Sequence, residues 1–280
     1  MLDFTIDKET CISCGQCASD CPAMIISMET NLPTIAEDLE KFCIGCMHCV
    51  AVCSEGSVSI LGYGPEEGIS LEKSSIAKPE ALEMLIKGRR SVRNYQDENV
   101  DSEIIDKLVA VASHAPSAHN DRKLLYTLVD DKGIIYDLRD EAFAGLEKLI
   151  EDEKLPEGME MFVDIIAAWK ASGKDILFRG APHLLIVSAD KECAAPLQDP
   201  IIALTTFDLY AKASGIATIW NGLATLVISE LVPSLKKRLG IPENHEIGYA
   251  MGFGLPALNY KRTVERKAPL INRVTTPNIS

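Results

Sequence analysis

Two cysteine runs near the N-terminus limit what this chain can become more than any other feature. The first reads Cys11-Ile-Ser-Cys14-Gly-Gln-Cys17-Ala-Ser-Asp-Cys21-Pro22 and the second Cys43-Ile-Gly-Cys46-Met-His-Cys49-Val-Ala-Val-Cys53. Both follow C-x2-C-x2-C-x3-C, lie 32 residues apart and share an Ile after the first cysteine, so the segment reads as an internal duplication. Disulfides are not expected. The opening Met1-Leu-Asp-Phe-Thr-Ile-Asp has neither the cationic flank nor the apolar stretch of a secretion signal, which points to a reducing cytoplasm. Structural zinc usually takes two well-separated ligand pairs, unlike these continuous runs.

The spacing suits an iron–sulfur cube. Three thiolates two residues apart on a tightly turning backbone reach three corners of one [4Fe–4S] cluster, while the fourth, on the helical segment that follows, faces the other cluster. Cys11, Cys14, Cys17 and Cys53 are therefore expected to ligate one cluster, and Cys43, Cys46, Cys49 and Cys21 the other. Residues 1–64 resemble the bacterial two-cluster ferredoxins in this pattern. The second run departs from it in ending Cys53-Ser54, without the Pro that follows Cys21. So small a segment buries little core of its own, and the cubes would supply the missing interior. Ile12 and Ile44 are expected to pack against them.

The whole chain has 280 residues and a formal net charge of −13. Residues 1–64 carry nine acidic against two basic side chains, and the remainder 32 against 26. An acidic surface argues against nucleic acid as a partner; it steers a basic redox partner or is simply a solvated face. No apolar run approaches the ~18 residues of a membrane helix, so no membrane is expected. Cys193 stands apart as an idle thiol, and His48, between Cys46 and Cys49, reads as an exposed turn residue.

Residues 65–78 read as a linker, after the Tyr63-Gly-Pro-Glu-Glu-Gly68 punctuation. A helix is predicted from Pro79 to about Lys87 with Leu82, Leu85 and Ile86 on one face. Gly88 ends it. Asp101 should cap a second helix with Ile104, Leu108 and Val111 on its buried stripe. Leu124–Val129 reads as a strand, and 141–172 as mostly helical with a break near Pro156-Glu157-Gly158. Leu184–Val187 reads as a buried strand. Asp199-Pro200 opens a long helix closed by Gly215. Ile216–Trp220 and Glu246–Phe253 read as strands flanking a Pro233–Leu239 helix. This alternation makes 79–280 a layered α/β or α+β domain.

The run Arg89-Arg90-Ser91-Val92-Arg93 places three guanidiniums and a hydroxyl at the mouth of a loop. Such a group binds a phosphate bidentately, or it complements the dipole at a helix C-terminus. Further along stand Ala115-Pro116-Ser117-Ala118-His119-Asn120, Phe178-Arg-Gly-Ala-Pro182, Gly215-Ile-Ala-Thr-Ile-Trp220-Asn221-Gly222, Gly248-Tyr-Ala-Met-Gly-Phe-Gly-Leu-Pro256 and Arg266-Lys-Ala-Pro269. In this order, over residues 85–272, the pieces resemble the nitroreductase family.

That resemblance implies an FMN site. Arg89, Ser91 and Arg266 would hold the phosphate. Arg90 would reach the phosphate or ribityl chain, and Arg93 would lie near flavin N1 and O2. Pro116, Ser117 and Asn120 would come from the other protomer of an intertwined homodimer. Trp220, Asn221 and Gly222 would pass the flavin N5. Asp121-Arg122-Lys123 replaces the family's frequent Gln-Pro-Trp, so the pocket rim does not transfer, and neither does the lid region 138–176. His119 reads as an ordinary loop residue or as a proton donor to substrate. Gly252-Phe-Gly254-Leu-Pro-Ala257 matches G-x-G-x-x-A by letters, but Pro256 opposes the helix that a dinucleotide fold needs.

The expected architecture is therefore α+β: a two-cluster ferredoxin-like domain (1–64), a linker (65–78) and an FMN-dependent nitroreductase-like α/β domain (79–280). The expected chemistry is flavin-based, with no side chain as nucleophile. Clusters would relay single electrons to or from FMN, and a small planar acceptor such as a nitroaromatic or quinone would be reduced. Two alternatives stay open: NAD(P)H oxidation with electrons leaving through the clusters to a carrier, or a plain electron carrier without flavin.

Overall fold

The computed structural model describes residues 2–71 and 75–274. Strands β1 (Thr5–Ile6), β2 (Ile26–Ser27), β3 (Thr34–Ile35) and β4 (Val58–Ser59) form two antiparallel ladders, β1 with β4 and β2 with β3. Helices α1 (Gln16–Ser19) and α2 (His48–Ala51) occupy matched positions of the two cysteine runs. The backbone repeats too. Positive φ occurs at Ser13 (53°) and Gly15 (72°), and at the equivalent Gly45 (61°) and Met47 (59°). These left-handed residues curl each loop so that successive thiols turn to one side. The apolar interior here is small: Ile25, Ile26, Val58 and Ile60, with Cys17 and Cys49.

The rest of the chain builds on helices α3 (Pro79–Gly88) and α4 (Ser102–Ala112), strand β5 (Leu124–Val129), helices α5 (Lys132–Glu151) and α6 (Met161–Ser172), and strand β6 (His183–Asp190). Then come α7 (Gln198–Ala213), β7 (Ala217–Trp220), α8 (Gly222–Leu226), a π-helical turn (Val227–Leu231), α9 (Pro233–Arg238) and β8 (His245–Gly254). The sheet runs β5-β6-β8-β7 with every neighbour antiparallel. Side chains of β6 alternate between two cores. Leu184 and Ile186 pack with α5, α6 and the 224–235 segment, while Leu185 and Val187 pack with α4 and α7. Helices on both faces of an antiparallel sheet make this an α+β layered fold.

Most predicted elements occur, with two corrections. Helix α5 starts at Lys132, well before residue 141, because Asp131 caps it by accepting from Gly133 N and Ile134 N. The buried stripe of α4 is Ile105, Leu108 and Ala112, leaving Ile104 40% exposed. Asp101 does cap α4, accepting from Glu103 N at 2.8 Å. On the expected apolar face of α3, Leu82 and Ile86 are exposed while Leu85 is half-buried. Among the described residues no helix is long and apolar enough to cross a membrane.

Candidate functional site

The eight thiols of the two runs sort by space rather than by sequence. Cys43, Cys46 and Cys49 line one hollow with Cys21, and Cys11, Cys14 and Cys17 line another with Cys53. The hollows measure about 380 and 350 Å³. Each run thus lends its fourth cysteine to the other run's set, as the spacing predicts. All nine cysteines are free thiols. Among the described residues no three His, Cys, Asp or Glu side chains converge on a single ion. The thiols surround a volume, which is the arrangement a cube requires. Ile12 and Ile44 line their hollows but stay 64% and 38% exposed. Burial pushes the Cys49 thiol up to about 11 and raises that of Cys17, so the thiolate forms need positive charge brought into the hollows. Ser57 N donates to Cys53 Sγ at 3.2 Å. His48 Nδ1 lies 3.1 Å from Asp20 Oδ2, tying the two short helices together beside the Cys21 set.

The arginine run is stitched to the sheet edge. Val92 N donates to Thr218 O of β7 at 2.9 Å, and Ser91 bridges Thr218 in parallel. Gln96 N donates to Leu255 O and Ala257 N to Asn94 O, so the run lies between β7 and the segment after β8. An open cleft of about 470 Å³ results, lined by Arg89, Arg90 and Lys212 beside the backbone of 215–218 and 256–260. Arg89 Nη1 is buried and 3.3 Å from Asp208 Oδ2, without hydrogen-bond geometry to any partner. Buried Asp208 also accepts from Thr218 Oγ1 and from Trp220 Nε1, the latter at 3.0 Å. One carboxylate therefore joins the arginine run to the Trp220 segment. Arg93 is exposed and donates to Ser91 O at 3.1 Å.

Asn221 faces inward. Its Oδ1 accepts from Ala224 N, capping α8, and its Nδ2 donates to Leu177 O at 2.8 Å. Its backbone is engaged as well: Asn221 N donates to Ala250 O at 2.9 Å, and Asn221 O accepts from Thr225 N at 3.0 Å and Thr225 Oγ1 at 2.9 Å. Gly222 sits under Tyr249, where an added Cβ would lie 2.7 Å from the Tyr249 hydroxyl oxygen.

The third group, Pro116, Ser117 and Asn120, is anchored to the N-terminal turn of α7. Ala118 N donates to both carboxylate oxygens of buried Asp199, at 3.2 and 3.1 Å. Ser117 Oγ accepts from Arg122 N, and Arg122 Nη2 donates to Ser113 O. Pro116 is exposed. Asn120 Nδ2 donates to Ile44 O and Gly45 O, both at 3.0 Å, so a flavin contact from this side chain would run through its Oδ1 alone. Arg266 is exposed. Within one chain, then, the expected flavin residues form separate groups, and only Arg89 and Arg90 line the cleft. Sequence reasoning missed Asp208 and Lys212. Both lie on α7, and the signal was an acid within the apolar stripe of Leu204, Phe207 and Ala211.

An antiparallel sheet between helical layers, a cationic cleft at its β7 edge and an attached eight-thiol domain define an iron–sulfur-linked oxidoreductase. Residues 86–255 match the model of the nitroreductase family, and residues 3–54 match a 4Fe-4S dicluster domain. The chain belongs to the nitroreductase family. It is 29% identical over 189 residues to a Methanothermobacter thermautotrophicus protein provisionally named NADH dehydrogenase/NAD(P)H nitroreductase, covering 66% of this chain and 81% of the relative. An FMN-bound nitroreductase structure from Desulfitobacterium hafniense superposes with TM-score 0.54 at 25% identity, over 68% of this chain and 98% of the other. An FMN-bound nitroreductase from Bacteroides fragilis superposes at 0.55 and 22%, over 69% and 98%.

Proposed function

We propose that this chain is an FMN-dependent oxidoreductase in which two [4Fe–4S] clusters relay single electrons to or from FMN, for reduction of a small planar acceptor such as a nitroaromatic or quinone. The observation that carries the reading is the crossed four-and-four grouping of thiols on the same chain as a cleft lined by Arg89, Arg90 and Lys212. When bound, FMN supplies the exchange between single and paired electrons. The protein's part is to hold it. Arg89, Arg90 and Ser91, with Arg266 arriving from the C-terminal segment, bind the phosphate, and Lys212 adds a third cation to the cleft. Arg93 lies near the flavin N1 and O2 edge, where positive charge favours the reduced anion. The Trp220–Gly222 backbone borders N5. Pro116, Ser117 and Asn120 complete the site of a partner protomer in a homodimer. The uncovered apolar residues Leu82, Met84, Ile86 and Ile104 supply surface for that dimer. The functional units are 1–64 and 79–280, joined by 65–78, in a cytoplasmic protein.

Anaerobic purification followed by iron, sulfide and flavin quantitation tests the reading, with a donor and acceptor screen to follow. Chains without FMN would return it to a plain electron carrier. The name of the archaeal relative favours a second reading, NAD(P)H as donor with electrons leaving through the clusters. Stopped-flow mixing separates the two: clusters that bleach only after the flavin, with NAD(P)H as reductant, establish the outward direction.

A further inference from the structure

We propose that Asn120 is a latch that docks the second cysteine loop onto the α/β domain. The set Cys21, Cys43, Cys46 and Cys49 thereby becomes the flavin-side relay, and the set Cys11, Cys14, Cys17 and Cys53 the outward port for a one-electron carrier. The relay order rests on the cofactors proposed above; the latch does not.

The contact is built on both sides. The two protons of the Asn120 amide meet the carbonyls of Ile44 and Gly45, at 3.0 Å each. Both partners are acceptors, so the amide can point only one way. The donor sits on a rigid platform. His119, Asn120 and Arg122 hold φ of 53°, 56° and 50°, left-handed values that side-chain-bearing residues seldom adopt. The bonds of Asp199 to Ala118 N and of Ser117 Oγ to Arg122 N keep that backbone in place. Strain held in this way marks a loop shaped for a purpose.

The duplication supplies an internal control. Ile12 and Ser13 are the counterparts of Ile44 and Gly45. Among the described residues, no hydrogen bond or ion pair joins residues 11–17 to the α/β domain. Ile12 is 64% exposed against 38% for Ile44. Two loops of the same cysteine spacing thus differ in what they face. Electron tunnelling falls steeply with distance, so with the cofactors bound, the set held against the Asn120 loop, which the proposed function places beside a flavin, would be the effective donor. With clusters and flavin bound, each transfer would oxidise the docked cube by one electron and reduce the flavin by one, and the external carrier would restore the cube through the outward set.

The test uses the anaerobically purified, full-length holoprotein with Asn120→Asp and Asn120→Gly. Aspartate keeps the shape but turns a carboxylate toward two carbonyls. Glycine keeps the left-handed backbone and removes the amide. Amide hydrogen exchange is read at 43–47 and at 11–15. The wild type is expected to protect 43–47 more than 11–15. Either variant should raise exchange at 43–47 at least fivefold and leave 11–15 unmoved. In Asn120→Asp, which retains the Oδ1 that would meet a flavin, flavin reduction after mixing with reduced methyl viologen should slow at least tenfold. Equal exchange at the two loops in the wild type, or no change at 43–47 in both variants, overturns the latch. Faster exchange with unchanged flavin reduction overturns the relay order. Iron, sulfide and flavin counts on the wild type separate these outcomes from failure of the functional reading, because the exchange data judge the latch with or without cofactors.

Discussion

Arg89 Nη1 lies 3.3 Å from Oδ2 of Asp208, a carboxylate whose side chain is only 5% exposed. The first arginine of the run is therefore anchored from behind by helix α7 and held at the back of the cleft. Asp208 also receives Thr218 and Trp220, so it fixes the β7 edge together with the guanidinium. Replacing it with Ala strands two donors, Thr218 Oγ1 and Trp220 Nε1, and removes the carboxylate beside the Arg89 guanidinium. Asp208→Ala should lose about 3 kcal/mol of stability, as breaking a buried ion pair commonly does. Chemical denaturation of wild type and variant measures this.

The cleft cations make a graded prediction. Lys212→Met and Arg90→Ala should each weaken FMN binding about tenfold, the worth of one charge-assisted contact to a phosphate. Fold and melting behaviour should change little, since Lys212 is exposed and Arg90 only half-buried. Flavin fluorescence quenching during titration of the apoprotein reads the affinity, and riboflavin, which lacks the phosphate, should show no difference between the variants and wild type.

The crossed thiol sets predict a non-additive pattern. If the two clusters proposed above are bound, Cys21→Ser should lower iron from about eight to about four per chain, because one cube would lose a corner. Adding Cys49→Ser should remove no more, since both residues line the same hollow. Adding Cys17→Ser instead should empty both. Iron and sulfide assays on the three proteins decide it. Equal losses in the two double variants would contradict the crossing.

His183 gives a pH dependence. It is fully buried, and its Nε2 accepts from Val100 N at 2.9 Å, so the ring is neutral with its proton on Nδ1. Burial holds its pKa below the ordinary value of 6.5. The unfolded chain therefore takes up a proton first. The stabilising contribution is complete above about pH 6.5 and is lost as pH falls through the folded value. Urea midpoints should drop between pH 7.5 and 5.5, and the drop should shrink in His183→Gln.

Backbone approach gives the last expectation. A Cβ at Gly248 would lie 2.3 Å from Pro200 Cβ, a ring carbon that cannot rotate away. Gly248→Ala should cost about 1–3 kcal/mol through overpacking between β8 and α7. Gly222→Ala meets only the movable hydroxyl of Tyr249 and should cost less. Thermal melts of the pair compare them directly.

The amino-acid order alone determined a good deal. Thiol spacing foretold both four-cysteine sets, because a ligand loop is local and its reach is set by a few residues. Periodicity located β5 to the residue, along with α3 and the cap of α4, since capping and apolar alternation are short-range. The run at Arg89 was legible as a cluster of cations at the mouth of a loop for the same reason. Tertiary structure decided what depends on partners distant along the chain. The stripe of α4 shifted from Ile104 to Ile105 because the sheet and α7 dictate which side is covered. Asp208 became an anchor only when α7 packed beneath β7. The amide of Asn120 found Ile44 and Gly45, some 75 residues earlier, only once the two domains met. A sequence specifies which groups a segment offers; which of them are engaged follows from packing between segments that the local pattern does not encode.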